Sequence, residues 1–204
     1  MEGIPVVCFA GWSGSGKTTL IEKIIPALAG AGYRAAAVKH DAHGLSFDGE
    51  GKDSRRLYEA GAVCSVVSGP GETALFLRGE AGLEQILSLL PEADLILIEG
   101  YKDCGYTQFG LCRGETGKGF TAPLSRFAAL ITDLTVPGAP APVFHPDDIE
   151  GIAAFMEKNM DGFTRFNPRG RAKTGNAEDK EIAGSRLPDK TGGIHGDYHR
   201  EEAE

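Results

Sequence analysis

The chain's 204 residues, 41% of them hydrophobic, suffice for one substantial core and leave little room for a second independent domain. A formal net charge of −8 without a sustained basic patch excludes non-specific nucleic-acid binding, but not capture of a small anion by local backbone groups. No apolar run approaches the roughly 20 residues of a membrane span, and no basic lead followed by an apolar stretch opens the chain, so a soluble, cytoplasmic protein is expected.

In chain order, residues 5–10 (Pro-Val-Val-Cys-Phe-Ala) form a short apolar run rich in β-formers, as a buried parallel strand should. Residues 11–18 follow, reading Gly-Trp-Ser-Gly-Ser-Gly-Lys-Thr, a full match to the phosphate-binding pattern GxxxxGK[ST]. A helix is predicted from about Lys17, with apolar residues at helical spacing over 19–29, an interruption at Pro26 and closure at Gly30 and Gly32. Residues 34–40 read as a second strand, 41–51 as a polar, Gly-rich loop, and 52–60 as helical. A strand over 62–68, a turn at Gly69-Pro70-Gly71, an apolar run over 73–77 and a helix over 83–90 come next. Residues 94–98 (Asp-Leu-Ile-Leu-Ile) are the most apolar strand, ending in Glu99-Gly100. Another strand spans 127–132, a linker 136–142 and an amphipathic helix 146–158.

Strands alternating with helices, and apolar throughout, imply an α/β P-loop NTPase fold: a mainly parallel sheet with helices on both faces. The nucleotide-binding domain is expected to span 1–158, with the Gly-rich segment 100–126 as an inserted hairpin or flap. From Asn159 to Glu204 apolar residues thin out, and a polar, disordered tail is expected, His195 and His199 being solvated within it. The four cysteines, Cys8, Cys64, Cys104 and Cys112, lack CxxC spacing. Cys8 and Cys64 suit small buried hydrophobes, whereas Cys104 and Cys112 lie in a loop-rich stretch that leaves a metal site or a dimer contact open.

The chemistry starts from the loop. Gly11, Gly14 and Gly16 allow a turn tight enough for successive N–H groups, with those of Ser13, Ser15 and Thr19, to face phosphate oxygens. Lys17 is placed to reach the β and γ phosphates, and Thr18 to offer a hydroxyl to Mg²⁺, where the helix dipole also favours an anion. An acidic group must order the metal or a hydrolytic water; Glu99 is the first candidate and Asp41 the second. Lys39, His40, His43 and Asp48 cluster on a loop suited to respond to a γ-phosphate. Lys52, Arg55 and Arg56 form a local basic patch suited to an anionic group, while Asp53 and Ser54 suit the first turn of their helix.

Four blocks carry a resemblance: the phosphate loop with Thr-Leu-Ile-Glu after it, Val-Lys-His-Asp-Ala-His, Gly-Lys-Asp-Ser-Arg-Arg with Glu-Ala-Gly-Ala, and Leu-Ile-Leu-Ile-Glu-Gly-Tyr-Lys. Together, over most of residues 5–158, the chain resembles the molybdopterin-guanine dinucleotide biosynthesis adapter family, MobB. The resemblance implies a dimeric P-loop protein that binds GTP with Mg²⁺, hydrolyses it weakly and assists the guanylyltransferase that joins GMP to molybdopterin, with contact to molybdopterin itself left open. It maps the phosphate loop to Gly14–Thr18, the Lys-His motif to Lys39 and His40, and the acidic strand end to Glu99, with Lys17 and Glu99 carrying any hydrolysis. Ala42 stands where the family often has another histidine, and the segment after Lys102 lacks the family's Pro-Lys-Ile-Glu. No Asn-Lys-x-Asp guanine-reading motif occurs; Thr132-Asp133 lies at a base-side strand end. Two other classes compete: a small-molecule kinase, with Arg113 or Arg126 as lid arginines, and a metal-insertion GTPase using His40, His43, Cys104 and Cys112.

Overall fold

Strand β1, Ile4–Ala10, is buried from Pro5 onward and sends alternate side chains to two cores. In the computed structural model, which describes residues 2–41, 53–101 and 103–168, Val7 and Phe9 meet Ile24 and Leu28 of helix α1 (Lys17–Gly30) in one core. Val6 and Cys8 enter the other. Pro26 lies inside α1 without ending it: the proline forgoes only its own N–H bond, on an exposed turn of the helix.

Strand β2 (Ala35–Lys39) leads to helix α2 (Asp53–Glu59), followed by strands β3 (Cys64–Gly69) and β4 (Glu72–Leu77). Helix α3 (Leu83–Ser88) precedes strand β5 (Leu95–Glu99), whose first four residues are buried. Strands β6 (Thr107–Cys112), β7 (Ala129–Thr132) and β8 (Val143–Phe144), helix α4 (Ile149–Asn159) and strand β9 (Arg165–Phe166) complete the chain order. The main sheet runs β2-β5-β1-β6-β7-β8, all parallel, with β9 antiparallel on β1. Helices α1 and α4 cover one face, where Ile152 and Met156 join the larger core; Leu87 of α3 covers the other. Asp148 caps α4 by accepting the Gly151 N–H at 3.0 Å. The α/β P-loop architecture with helices on both faces is therefore present.

Three elements depart from the sequence reading. Residues 107–112 are not flap but β6, a central strand beside β1, with Phe109 opposite Phe9. Gln108 and Gly110 disguise the run as loop. Both are buried, and a Cβ on Gly110 would stand 2.8 Å from the Phe127 ring, so the glycine serves close packing. Second, ordered packing continues past residue 158: Phe163 and Phe166 are buried, and Thr164 donates its N–H to Thr107 Oγ1 at 2.9 Å. β9 and β6 thereby share one side of β1, and the domain extends beyond the boundary expected at 158; residues 169–204 lie outside the described residues. Third, β3 and β4 form a separate antiparallel hairpin instead of joining the parallel sheet, and it exposes Val66, Val67 and Leu75. Among the described residues, no helix is long and apolar enough to cross a membrane.

Candidate functional site

The carboxyl ends of β1, β2 and β5 converge because these strands are parallel and in register, Phe9 opposite Glu99 and Glu99 opposite Lys39. The turn from β1 into α1 needs two glycines in the left-handed region, Gly14 at φ 81° and Gly16 at φ 84°, the latter capping α1. Gly11 is required for another reason: a Cβ there would stand 2.7 Å from the Leu111 carbonyl oxygen of β6. The loop is thus wedged against its neighbouring strand. Trp12 Nε1 donates to the Gly119 carbonyl at 2.9 Å, tying the loop's outer arm to the segment after β6.

Lys17 Nζ donates to the carbonyls of Gly11 (3.0 Å) and Trp12 (2.9 Å), which holds the ammonium over the loop. Thr18 Oγ1 donates to the Glu99 carboxylate, 2.8 Å from each oxygen. Lys39 Nζ lies 4.0 Å from Glu99 Oε1, so a cation flanks the same carboxylate, whose side chain is only 14% exposed. His40 follows β2 with its N–H on the Glu99 carbonyl at 3.0 Å, and its ring lies 4.4 Å from that of Tyr101. Gly100, at φ 93°, is pressed against the His40 Cβ, 3.3 Å from where its own Cβ would be. A cavity of about 790 Å³ opens over these groups, lined by Ser13, Lys17, Lys39, His40, Asp41 and Glu99 among others.

The structure thus brings together Gly11, Ser13, Lys17, Lys39, His40, Asp41 and Glu99 around one cavity, with Thr18 joined through Glu99. Gly14 lies on the same loop. Ser15, Gly16 and Thr19 line a narrow crevice on the loop's other flank, together with Lys23 and Arg113. The hydroxyl of Thr18 and the carboxylates of Glu99 and Asp41 are hard oxygen donors of the kind Mg²⁺ takes beside phosphate, so these residues fit the ion. Among the described residues no three His, Cys, Asp or Glu gather as a transition-metal site.

The cysteines resolve differently from the sequence reading. Cys8 and Cys104 form a disulfide that ties β1 to the segment after β5, so neither is a lone thiol or a ligand pair with Cys112. Cys112 is buried and donates to the Lys118 carbonyl; burial, with Asp133 nearby, pushes its thiol up from the ordinary value and away from thiolate chemistry. The basic patch on α2 is spent along its own helix: Arg55 pairs with Glu59 at 2.6 Å and Arg56 with Asp53 at 3.1 Å. Arg126 lies 3.6 Å from Asp103. His43, Asp48, Lys52, Lys102, His195 and His199 lie outside the described residues. The sequence offers Arg113 only as a lid arginine in the flap, whereas the structure sets it beside Gly16 of the loop. The signal is its place as the residue directly after β6, a strand whose Gln108 and Gly110 make it resemble a loop in sequence.

Residues 6–133 match the family described as molybdopterin guanine dinucleotide synthesis protein B. The chain is 33% identical over 164 residues to the molybdopterin-guanine dinucleotide biosynthesis adapter protein of Escherichia coli (strain K12), covering 77% of this chain and 94% of that one. The corresponding protein of Haemophilus influenzae is 37% identical over 119 residues, 56% of this chain and 67% of its own. Among solved structures, Bacillus subtilis MobB superimposes with a TM-score of 0.63 at 29% identity, covering 76% of this chain and 98% of that one. A MobB homologue from Bacillus stearothermophilus gives 0.57 at 27% identity, covering 77% and 98%.

Proposed function

Because the chain belongs to the molybdopterin guanine dinucleotide synthesis protein B family, we propose that it is the GTP-binding adapter of molybdopterin-guanine dinucleotide biosynthesis. In that role it assists the guanylyltransferase that attaches GMP to molybdopterin, with weak GTP hydrolysis as a secondary activity. The observation that carries the nucleotide part is the joining of Thr18 to Glu99 at 2.8 Å across the ends of β1 and β5, next to a lysine held over a glycine-shaped anion cradle. A switch is built into that geometry. A triphosphate entering the cradle offers Lys17 phosphate oxygens in place of the Gly11 and Trp12 carbonyls.

Mg²⁺, held by Thr18 and Glu99 with Asp41 at the cavity rim, would neutralise charge on the bound phosphates. Glu99 is the group placed to orient an attacking water, and Lys17 the group that balances charge on the phosphoryl oxygens. The His40 ring lies tilted against that of Tyr101, two residues past the end of β5, so a change at Glu99 would be felt at the cavity wall, a surface that a partner enzyme or molybdopterin would meet. A homodimer fits the exposed apolar side chains of the β3–β4 hairpin, including Val66 and Leu75. Cytoplasmic placement fits a biosynthetic adapter of this kind.

The test is calorimetric titration with GTP and with ATP, each with and without Mg²⁺, followed by capture of a purified molybdopterin guanylyltransferase in the presence of each nucleotide. Mg²⁺-dependent GTP preference and nucleotide-dependent capture are expected. Clear ATP preference would replace this reading with the kinase one.

A further inference from the structure

The sheet places β6 directly beside β1, with Ala10 opposite Gly110, so the chain leaves β6 alongside the phosphate loop. The first residue after β6 is Arg113. Its guanidinium faces Gly16, whose Cβ, if present, would lie 3.8 Å from both Arg113 Nε and Nη2. The side chain is 27% exposed, and Nη1 lies 3.9 Å from Asp133 Oδ2 at the end of β7. Asp133 is itself fixed, accepting the Gly114 N–H at 2.8 Å. Arg113 Nε, by contrast, is buried without any hydrogen-bond partner. Folded proteins seldom leave a buried guanidinium donor unsatisfied, and such a group calls for an acceptor that the protein does not supply. The crevice it faces is lined by Ser15, Gly16, Thr19 and Lys23 of the loop and α1.

Position decides which part of a nucleotide is reached. Thr18, Lys39 and Glu99 occupy the β5 flank of the loop, with the metal and terminal-phosphate chemistry. Arg113 stands on the opposite, β6 flank, next to the backbone that cradles the α and β phosphates. We propose that Arg113 is a further nucleotide-binding residue, donating from Nε and Nη2 to oxygens of the diphosphate that GDP and GTP share, with Asp133 holding the fork in place. The inference rests on the nucleotide-binding reading above. It also gives the arginine a role distinct from a lid or finger: it contributes to binding in the ground state and leaves the hydrolytic step alone.

The experiment measures Kd for GDP and for GTP, both with Mg²⁺, and single-turnover hydrolysis at saturating GTP, in the full-length protein and in Arg113→Gln and Arg113→Lys. Arg113→Gln should weaken GDP and GTP alike by about 10-fold, as loss of a charge-assisted contact to phosphate predicts. Arg113→Lys, which keeps the charge but not the fork, should fall between; it carries the test alone if the glutamine variant does not fold. Undiminished affinity in the folded variants overturns the proposal, as does loss confined to GTP or a fall in hydrolysis without loss of affinity. Failure of the unmodified protein to bind either nucleotide overturns the nucleotide reading itself, and the proposal with it.

Discussion

The two flanks of the phosphate loop are built from the same kind of material, a parallel strand against β1, yet they differ in how their polar groups are satisfied. On the β5 flank the central groups are joined: Thr18 donates to Glu99, Lys39 stands beside that carboxylate, and Lys17 sits on the loop's own carbonyls. On the β6 flank Arg113 keeps a buried Nε without a partner, and Ser15, 1% exposed, keeps its hydroxyl without one. A satisfied network has alternatives to exchange when a ligand enters, whereas an unsatisfied donor gains outright. On the proposed nucleotide-binding reading, the first flank would serve switching and chemistry and the second affinity.

The largest way to break this contrast is to remove what supports the β6 side from below. Truncation after Lys158 deletes β9 with the buried Phe163 and Phe166, and should cost about 4 kcal/mol or more of stability, read as a steep fall in thermal midpoint. A midpoint unchanged by that truncation would mean that β9 does not support the sheet. Lys17→Ala removes the ammonium held over the loop's own carbonyls; GTP and GDP affinity should drop on the order of 100-fold, about 2.7 kcal/mol, with the thermal midpoint of the free protein within about 2 °C. Calorimetry showing undiminished binding would refute the assignment of the loop.

Glu99→Gln sharpens the comparison, since the amide keeps the contact to Thr18 but loses the charge. Single-turnover hydrolysis should slow by about 30-fold, roughly 2 kcal/mol, while GDP affinity stays within about 3-fold. Equal losses in both would erase the distinction between the flanks. The smallest effect is expected from Gly110→Ala, whose Cβ meets three Phe127 ring atoms at 2.8–2.9 Å. Strain of about 1.5 kcal/mol should lower the thermal midpoint by about 5 °C, and a neutral result would show that the ring has room to turn.

Much of the site could be read from the chain because its residues sit on local signals. The loop's glycines, Lys17 and Thr18 occupy eight consecutive positions, and Glu99 ends the run Leu-Ile-Leu-Ile, whose burial on both faces needs no partner to be recognised. The separate antiparallel sheet is less legible: a strand over 62–68 and an apolar run over 73–77 do not by themselves say which sheet they join, and only their two-residue connection, Pro70-Gly71, points to a hairpin.

By itself, then, the amino-acid order determined the glycine-shaped turn from β1 into α1, the acidic end of the neighbouring strand and the α/β class, since each depends on backbone freedom or periodicity within a few residues. Tertiary structure decided that residues 107–112 are sheet and that Phe163 and Phe166 are core. It also set Arg113 against Gly16 and joined Cys8 to Cys104, 96 residues apart. The reason is physical: a strand carrying Gln108 and Gly110 becomes buried only when Phe127 fills the space over the glycine, and neither the register of β6 nor the reach of Arg113 exists until β1 provides the edge on which they are measured.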